Sequence, residues 1–137
     1  PALETPHRSN DSSCVLQVQV GDYRILLPGD VEEERERTLV QYWGEQLRSD
    51  WLLAAHHGSR TSSSLALLKR VRPKAAVISS GYANRFRHPH PLVIQRLRKL
   101  GVEIFSTASE GALEFTVVPG QRLNIDAFRE RAKRYWM

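Results

Sequence analysis

Apolar and polar residues follow two different periods along this chain, and the changes between them mark its predicted elements. Residues 14–20 alternate apolar and polar side chains, which is typical of a half-buried strand. Further strands are predicted at 23–27, 51–55, 74–80, 102–107 and 111–118. Apolar residues at helical spacing predict helices at 31–47, 65–71, 92–100 and, in a basic tail, 124–135.

The resulting order, ββ-α-β-α-β-α-ββ-α, predicts an α/β fold. Three strongly polar segments each follow a predicted strand, at 28–30, 56–62 and 80–90. Because α/β proteins keep their sites at the carboxyl ends of strands, we expect these segments to meet at one edge of the sheet.

Size and composition fit one soluble domain or part of a larger one, with 41% hydrophobic and 26% charged residues among 137. No apolar run approaches the roughly 18 residues of a membrane span, and the first residues do not resemble a signal peptide. Because the chain begins with Pro1, we expect a piece of a longer protein. The single cysteine, Cys14, excludes an internal disulfide and any Cys-based zinc site, which leaves His, Asp and Glu as metal ligands.

Charge is distributed unevenly between the two halves of the sequence. Residues 1–59 contain five Arg and Lys against ten Asp and Glu, a net charge of −5, whereas residues 60–137 contain fifteen against five, a net charge of +10. This asymmetry favours a polyanionic partner for the second half. Solvated, arginine-rich helix faces would explain the same count.

Asp30 ends the sequence LLPGD, directly after a predicted strand. A tight Pro-Gly turn there would present its carboxylate at the edge of the sheet, where its two oxygens could bridge two cations. Alternatively, Asp30 is the N-cap of the helix predicted to begin at Val31.

His56 and His57 follow a predicted buried strand. Adjacent residues of a strand point in opposite directions, so only one is expected to face a given site. We predict that His56 is the metal ligand and that His57 orients a neighbour or a substrate oxygen. Ser59, Arg60 and Thr61 offer donors suited to phosphate. The alternative is an ordinary solvated histidine pair.

The segment 80–90 gathers Asn84, Arg85 and Arg87 before a predicted helix, an arrangement suited to binding phosphate. His88, whose imidazole titrates near neutral pH, is a candidate proton donor to a leaving group or an oxyanion stabiliser. A flexible basic surface loop is the alternative.

These motifs together resemble one protein family. The stretches LLPGD, LLAAHHGSRTSSS, KAAVISSGYANRFRHPHPLVIQRLRKLG and FSTASEGALEF occur in the order and spacing of the metallo-β-lactamase-like domain of the ComEC family of DNA-internalisation competence proteins. The resemblance covers most of residues 9–118. It implies that residues 1–137 are the C-terminal half of an αββα sandwich with a mixed sheet, in which 120–137 form a basic helical tail.

The resemblance also implies roles. Asp30 matches the metal-bridging aspartate, His56 a late metal-ligand histidine, and His88 lies in the HPHP motif, which would contact substrate phosphate or transfer a proton. The complete domain would hold two divalent ions, zinc or manganese, and degrade the DNA strand that is not transported. Its parent would lie in the bacterial inner membrane, with this soluble domain on the extracytoplasmic side and single-stranded DNA as its partner.

One hallmark of the fold, the HxHxDH cluster of the N-terminal half, does not occur in this sequence. We therefore expect the remaining ligands in the other half of the domain, and little or no nuclease activity from this chain alone. Two alternatives remain: a non-catalytic DNA-binding module with a vestigial metal site, and a related phosphodiesterase acting on small or lipid-linked phosphoesters.

Overall fold

A computed structural model describes residues 9–132 of the chain. Seven strands and five helices alternate in it: β1 Leu16–Val20, β2 Tyr23–Leu27, α1 Glu33–Trp43, β3 Trp51–Leu53, α2 Leu65–Val71, β4 Ala75–Ile78, α3 Pro91–Lys99, β5 Glu103–Ser106, α4 Thr107–Glu110, β6 Leu113–Thr116, β7 Asn124–Ala127 and α5 Phe128–Arg131. Short 3-10 turns occupy Ser9–Ser12, Gly44–Leu47 and Ala55–Gly58.

Strands β1 to β5 form one sheet in sequence order. The β1–β2 pair is an antiparallel hairpin, whereas β2 to β5 run parallel. Parallel neighbours require crossover connections, which α1, α2 and α3 provide. Apolar side chains of these helices pack with one face of the sheet in a core that includes Leu26, Leu52, Ala76, Ile78, Leu67, Leu68, Val93 and Leu97. This mixed sheet confirms the predicted α/β class and fixes the carboxyl ends of β2, β3 and β4 side by side.

The opposite face of the sheet is also apolar. Trp51 of β3 stacks on Phe105 of β5 at a centroid distance of 5.7 Å, and Phe115 of β6 packs edge-on against Trp51 at 5.0 Å. Leu53 and Val77 lie in register with Phe105 on this face and are half-buried. Within residues 9–132, the antiparallel β6–β7 pair therefore covers only part of an apolar surface.

Most predicted elements occur where the sequence placed them, but the predicted tail helix is wrong at its start. Asn124–Ala127 is a strand paired with β6, and helix α5 is a single turn. The reason is a period of two in the sequence: apolar Ile125 and Ala127 alternate with polar Asn124 and Asp126, and Ala127 is buried. Residues 133–137, the end of the predicted tail, lie outside the described part. No helix in the described range is long and apolar enough to cross a membrane.

Candidate metal centre

Three loops meet at the carboxyl edge of the sheet, as the sequence predicted. The loop after β2 carries Asp30, the 3-10 turn after β3 carries the histidine pair, and the loop after β4 leads to α3. Backbone hydrogen bonds tie them together: the N–H of His56 donates to the carbonyl of Gly29 at 3.0 Å, and that of His90 to Gly58 at 2.9 Å. The three loops at the carboxyl edge of the sheet are therefore joined by backbone hydrogen bonds.

Asp30 is not a helix cap. Helix α1 begins at Glu33, and the residue at its N-cap position is Glu32, without a side-chain cap hydrogen bond. The N-cap alternative for Asp30 is thus wrong, because the helix starts two residues later than the pattern predicts. The N–H of Asp30 donates to the hydroxyl of Ser13 at 3.2 Å, and its carboxylate Oδ1 lies 3.7 Å from Nε2 of His57.

The histidine pair departs from the geometry assumed for it. His56 and His57 have φ values of 49° and 55°, so the chain is in the left-handed region here and not in an extended strand. The assumption that the two side chains alternate is therefore wrong. Their rings lie at the same edge of the sheet, with centroids 6.4 Å apart.

His57 is held by one defined hydrogen bond. Its Nδ1 lies 2.8 Å from the backbone carbonyl of Ser79, which can only accept, so we assign the proton to Nδ1. Its Nε2 then presents a lone pair on the side of Asp30. Metal-ligating histidines are commonly oriented by such a bond from the other ring nitrogen to a carbonyl.

His56 has a different environment. Its Nδ1 is buried and lacks a hydrogen-bond partner in the described structure, with Oε1 of Glu32 at 3.7 Å. Its ring centroid lies 6.0 Å from that of His88. The assignment of His56 as a metal ligand stays a prediction, and the orientation of His57 makes it the better-placed partner for Asp30.

The donor set fits part of a divalent metal site. Two ligands of one tetrahedral zinc ion lie about 3.3 Å apart, close to the separation of the Asp30 and His57 atoms. However, residues 9–132 contain no group of three or more His, Cys, Asp or Glu side chains arranged to hold a metal. Catalytic zinc sites usually take three protein ligands, so these residues supply a fraction of one.

A pocket of about 350 Å³ opens beside this pair of residues. Its walls are formed by His57, Ser79, Ser80, Gly81, Asn84, Phe86, His88 and Thr107. Desolvation by burial lowers the pKa of His88, and His56, His57 and His90 lower it further by charge repulsion. The neutral imidazole is therefore favoured near neutral pH, and its Nδ1 is buried without a hydrogen-bond partner in the part of the chain described.

Two of the predicted phosphate ligands after the histidines have structural contacts. Ser59 is only 8% exposed, and its hydroxyl lies 3.2 Å from that of Thr61, which also donates to Glu32 at 3.4 Å. Arg60 is exposed. The role of all three in substrate binding stays a prediction, and the geometry gives Ser59 and Thr61 a part in shaping the turn.

Asn84 organises the loop after β4. Its side-chain amide accepts from the N–H of His88 at 2.9 Å and donates to the carbonyls of His88 and Gly81 at 2.6 and 3.0 Å. Arg85 and Arg87 are exposed on the same loop. Their predicted phosphate contacts stay predictions, whereas the amide of Asn84 is already committed to the loop backbone.

Three residues that shape the site were not predicted from the sequence. Ser79 orients His57 through its backbone, which no side-chain pattern could reveal. Thr107 lines the pocket, and its hydroxyl is hydrogen-bonded to both backbone groups of Ser80. Glu36 is fully buried and accepts from the N–H groups of Ser63 and Ser64 at 2.5 and 2.8 Å. Its position three residues before Leu39, on the apolar stripe of α1, was an available signal.

Fold and site together define a protein class. The family model of the metallo-beta-lactamase superfamily matches residues 1–82, more than half of the chain. The chain therefore belongs to the metallo-beta-lactamase superfamily, whose members bind divalent metals.

Its relatives narrow the class further. Competence protein ComA of Neisseria gonorrhoeae is 41% identical over 131 residues, covering 93% of this chain and 18% of the relative. ComE operon protein 3 of Bacillus subtilis is 32% identical, with 84% and 15% covered, and Recombination protein 2 of Haemophilus influenzae is 38% identical, with 89% and 14% covered. These relatives confirm the predicted resemblance to the ComEC family. The chain spans less than a fifth of their length.

Proposed function

We propose that this chain is part of a metal-dependent phosphodiester hydrolase domain that acts on DNA during its uptake. The observation that carries the proposal is the approach of Asp30 and His57 at the carboxyl edge of the sheet, beside a pocket of about 350 Å³. A carboxylate and an oriented imidazole are suitable ligands for zinc or manganese. The open pocket next to them leaves room for a phosphodiester.

In this proposal Asp30 and His57 hold the metal, and the carbonyl of Ser79 keeps Nε2 of His57 directed to it. The bound metal would supply activation of water and neutralisation of phosphate charge. His88, neutral and inside the pocket, is suited to donate a hydrogen bond to a phosphate oxygen. Arg85 and Arg87 add positive charge to the loop that carries His88, and Arg60 adds it to the turn after the histidine pair.

Two ligands are too few for such a centre, so the remaining ones would come from the other half of the domain. The partly covered apolar face of the sheet supports the idea that a second half-domain packs on this chain. Leu53, Val77 and Phe105 are half-buried in one row, which is the surface that a second sheet would bury in a sandwich. We accordingly expect this chain alone to hydrolyse DNA weakly or not at all.

The biological role is proposed from the relatives. Two of the three carry competence or the ComE operon in their names, and competence is the uptake of DNA. We propose a membrane-associated parent protein, with this domain outside the cytoplasm and single-stranded DNA as its substrate. The excess of fifteen Arg and Lys over five Asp and Glu in residues 60–137 suits a polyanion.

A second candidate is a DNA-binding module whose metal centre is incomplete. The lack of any three-ligand group within residues 9–132 favours it. Substitution of a proposed metal ligand and substitution of a basic loop residue distinguish the two candidates, because only the hydrolase requires a metal.

The test uses the full-length protein with single-stranded DNA, and measures metal-dependent hydrolysis and DNA affinity separately. For the hydrolase, His57→Ala abolishes hydrolysis and leaves affinity nearly unchanged, and His56→Ala has the smaller effect. For the binding module, no metal-dependent hydrolysis occurs, and only substitutions such as Arg85→Ala and Arg87→Ala matter. Hydrolysis that survives His57→Ala would refute the assignment of His57.

A further inference from the structure

Phe86 is an apolar ring exposed at the mouth of the pocket. It is 64% exposed, although it stands between two charged residues, Arg85 and Arg87, and it lines the pocket that His57 and His88 share. Folding gives no reason for a large exposed aromatic at this position, since it buries little surface. Tyr82 on the same loop is 82% exposed. Two exposed aromatic rings on one basic loop point to a ligand with flat, apolar faces.

The contacts of Phe86 form a series of planar groups that leads into the pocket. The guanidinium carbon of Arg85 lies 4.6 Å from the centroid of the Phe86 ring. The Phe86 ring in turn stacks on that of His88, with centroids 5.8 Å apart and planes 18° from parallel. Guanidinium and aromatic planes are the side-chain surfaces on which unpaired nucleobases stack.

The loop is held in place for such a role. Asn84 binds the backbone of His88 in both directions, and the N–H of Arg87 donates to the carbonyl of Asn84 at 3.0 Å. The N–H of His90 is bound to Gly58, so the loop is fixed to the turn that carries the histidine pair. A ring on a loop held in this way can bind a base at a lower entropic cost than a ring on a mobile segment.

We propose that Phe86, assisted by Tyr82 and Arg85, stacks an unpaired nucleobase next to the phosphodiester that reaches the metal centre. The inference rests on the proposed function in one respect, since it takes the polymer at the site to be DNA. A base inside a duplex is stacked on its neighbours and cannot reach the ring. Stacking is tolerant of sequence because every base has an aromatic face, so the site selects single strands and not particular bases.

The test measures the affinity of the full-length protein for two fluorescent oligonucleotides of equal length and charge. One is a single strand of mixed sequence, and the other is the same strand with every base replaced by an abasic residue. A chelator prevents hydrolysis during the measurement. The native protein binds the base-bearing strand about tenfold more tightly, as expected for one base–aromatic stack.

Phe86→Ala and Phe86→Leu remove this preference without weakening the binding of the abasic strand, because both lose the planar ring while the basic residues remain. Phe86→Trp retains the preference. Tyr42→Ala is the matched control, since Tyr42 is 79% exposed and lies near the far end of α1 from Asp30. It leaves the preference unchanged.

The proposal is overturned if Phe86→Ala keeps the native preference for the base-bearing strand, or if it loses affinity equally for both strands. It is also overturned if Phe86→Ala binds anionic lipid vesicles more weakly than the native protein while keeping that preference. This last result would make the loop a membrane contact. Hydrolysis is scored in a separate assay with metal. Loss of the preference in a protein that never hydrolyses DNA supports the stacking site and refutes the hydrolase. Hydrolysis with an unchanged preference refutes the stacking site alone.

Discussion

At the amino ends of the strands, Asp50 lies between β2 and β4 and is fully engaged. Its Oδ2 accepts from the N–H of Arg24 at 3.1 Å, and its Oδ1 lies 2.9 Å from Nζ of Lys74. Desolvation by burial raises the pKa of Asp50, but the hydrogen bonds from Lys74 and Arg24 outweigh it and hold the pKa below its usual range. At the carboxyl ends of the same strands, Asp30 has no comparable arrangement within residues 9–132: its carboxylate is half exposed, and its Oδ1 lies 3.7 Å from Nε2 of His57.

The backbone shows the same contrast. Among the six non-glycine residues with positive φ in residues 9–132, five lie in the loops of the carboxyl edge: His56, His57, Ser63, Ala83 and Arg87. The buried Nδ1 atoms of His56 and His88 also lack hydrogen-bond partners in this described range. Strain and unsatisfied polar groups are retained where they serve a site. This contrast between the two edges supports the proposed ligand site at the carboxyl edge.

The largest expected effect comes from exchanging the two aspartates for asparagine in the full-length protein. Asp30→Asn lowers metal-dependent hydrolysis by about 100-fold or more, because it removes a proposed ligand charge. Asp50→Asn leaves the hydrolysis rate per folded molecule unchanged and lowers stability by roughly 1 to 2 kcal/mol. Initial rates and urea unfolding measure the two effects. Equal losses of hydrolysis in both variants would contradict the assignment of a ligand role to Asp30 and a structural role to Asp50.

The sequence predicted the carboxyl edge only in part and gave no prediction for the amino edge. Period-two and helical patterns located the strands and the crossover helices, because burial on one side of an element dictates its apolar spacing. The grouping of three polar loops followed from the parallel sheet. The orientation of His57 could not be predicted, since it depends on left-handed backbone at His56 and His57 and on a carbonyl 22 residues away along the chain. Nor could the ligands that a second half-domain would bring.

Glu36 links two loops of the carboxyl edge, the one after β2 and the one after β3. It lies on α1, which follows Asp30, and binds two N–H groups of the turn that follows the histidine pair. Glu36→Ala leaves both N–H groups buried without an acceptor and opens a cavity, so we expect a loss of roughly 3 kcal/mol. The control is Glu34→Ala, which removes an exposed carboxylate from the same helix turn. Chemical denaturation compares them, and similar midpoints would contradict this role.

Gly58, in the turn that carries the histidine pair, lies close to Pro89 of the loop after β4, and a substitution there tests whether the turn requires this contact. Its φ is +78°, and an added Cβ would lie 2.8 Å from Cβ of Pro89. Gly120 has nearly the same φ, +79°, but a Cβ added there would meet no described atom within 4 Å. We expect Gly58→Ala to cost about 2 to 4 kcal/mol, since strain and a clash combine, and Gly120→Ala about 1 kcal/mol from strain alone. Thermal unfolding of the two variants gives the difference, and equal losses would show that the contact with Pro89 yields without cost.

The smallest effect is a pH dependence that belongs to Glu36 alone. Desolvation by burial raises the pKa of this carboxyl, while hydrogen bonds from Ser64 and Ser63 oppose the shift without cancelling it. Between the ordinary pKa of a glutamate and the raised folded value, the folded chain binds more protons than the unfolded chain, so stability falls as pH rises through that window. Glu36→Gln cannot titrate. The stability of the native chain minus that of Glu36→Gln, measured by urea unfolding between about pH 4 and pH 7, should therefore decrease with pH. An increase would mean that the two N–H donors stabilise the carboxylate by more than burial destabilises it, and Glu36 would then resemble Asp50 of the amino edge.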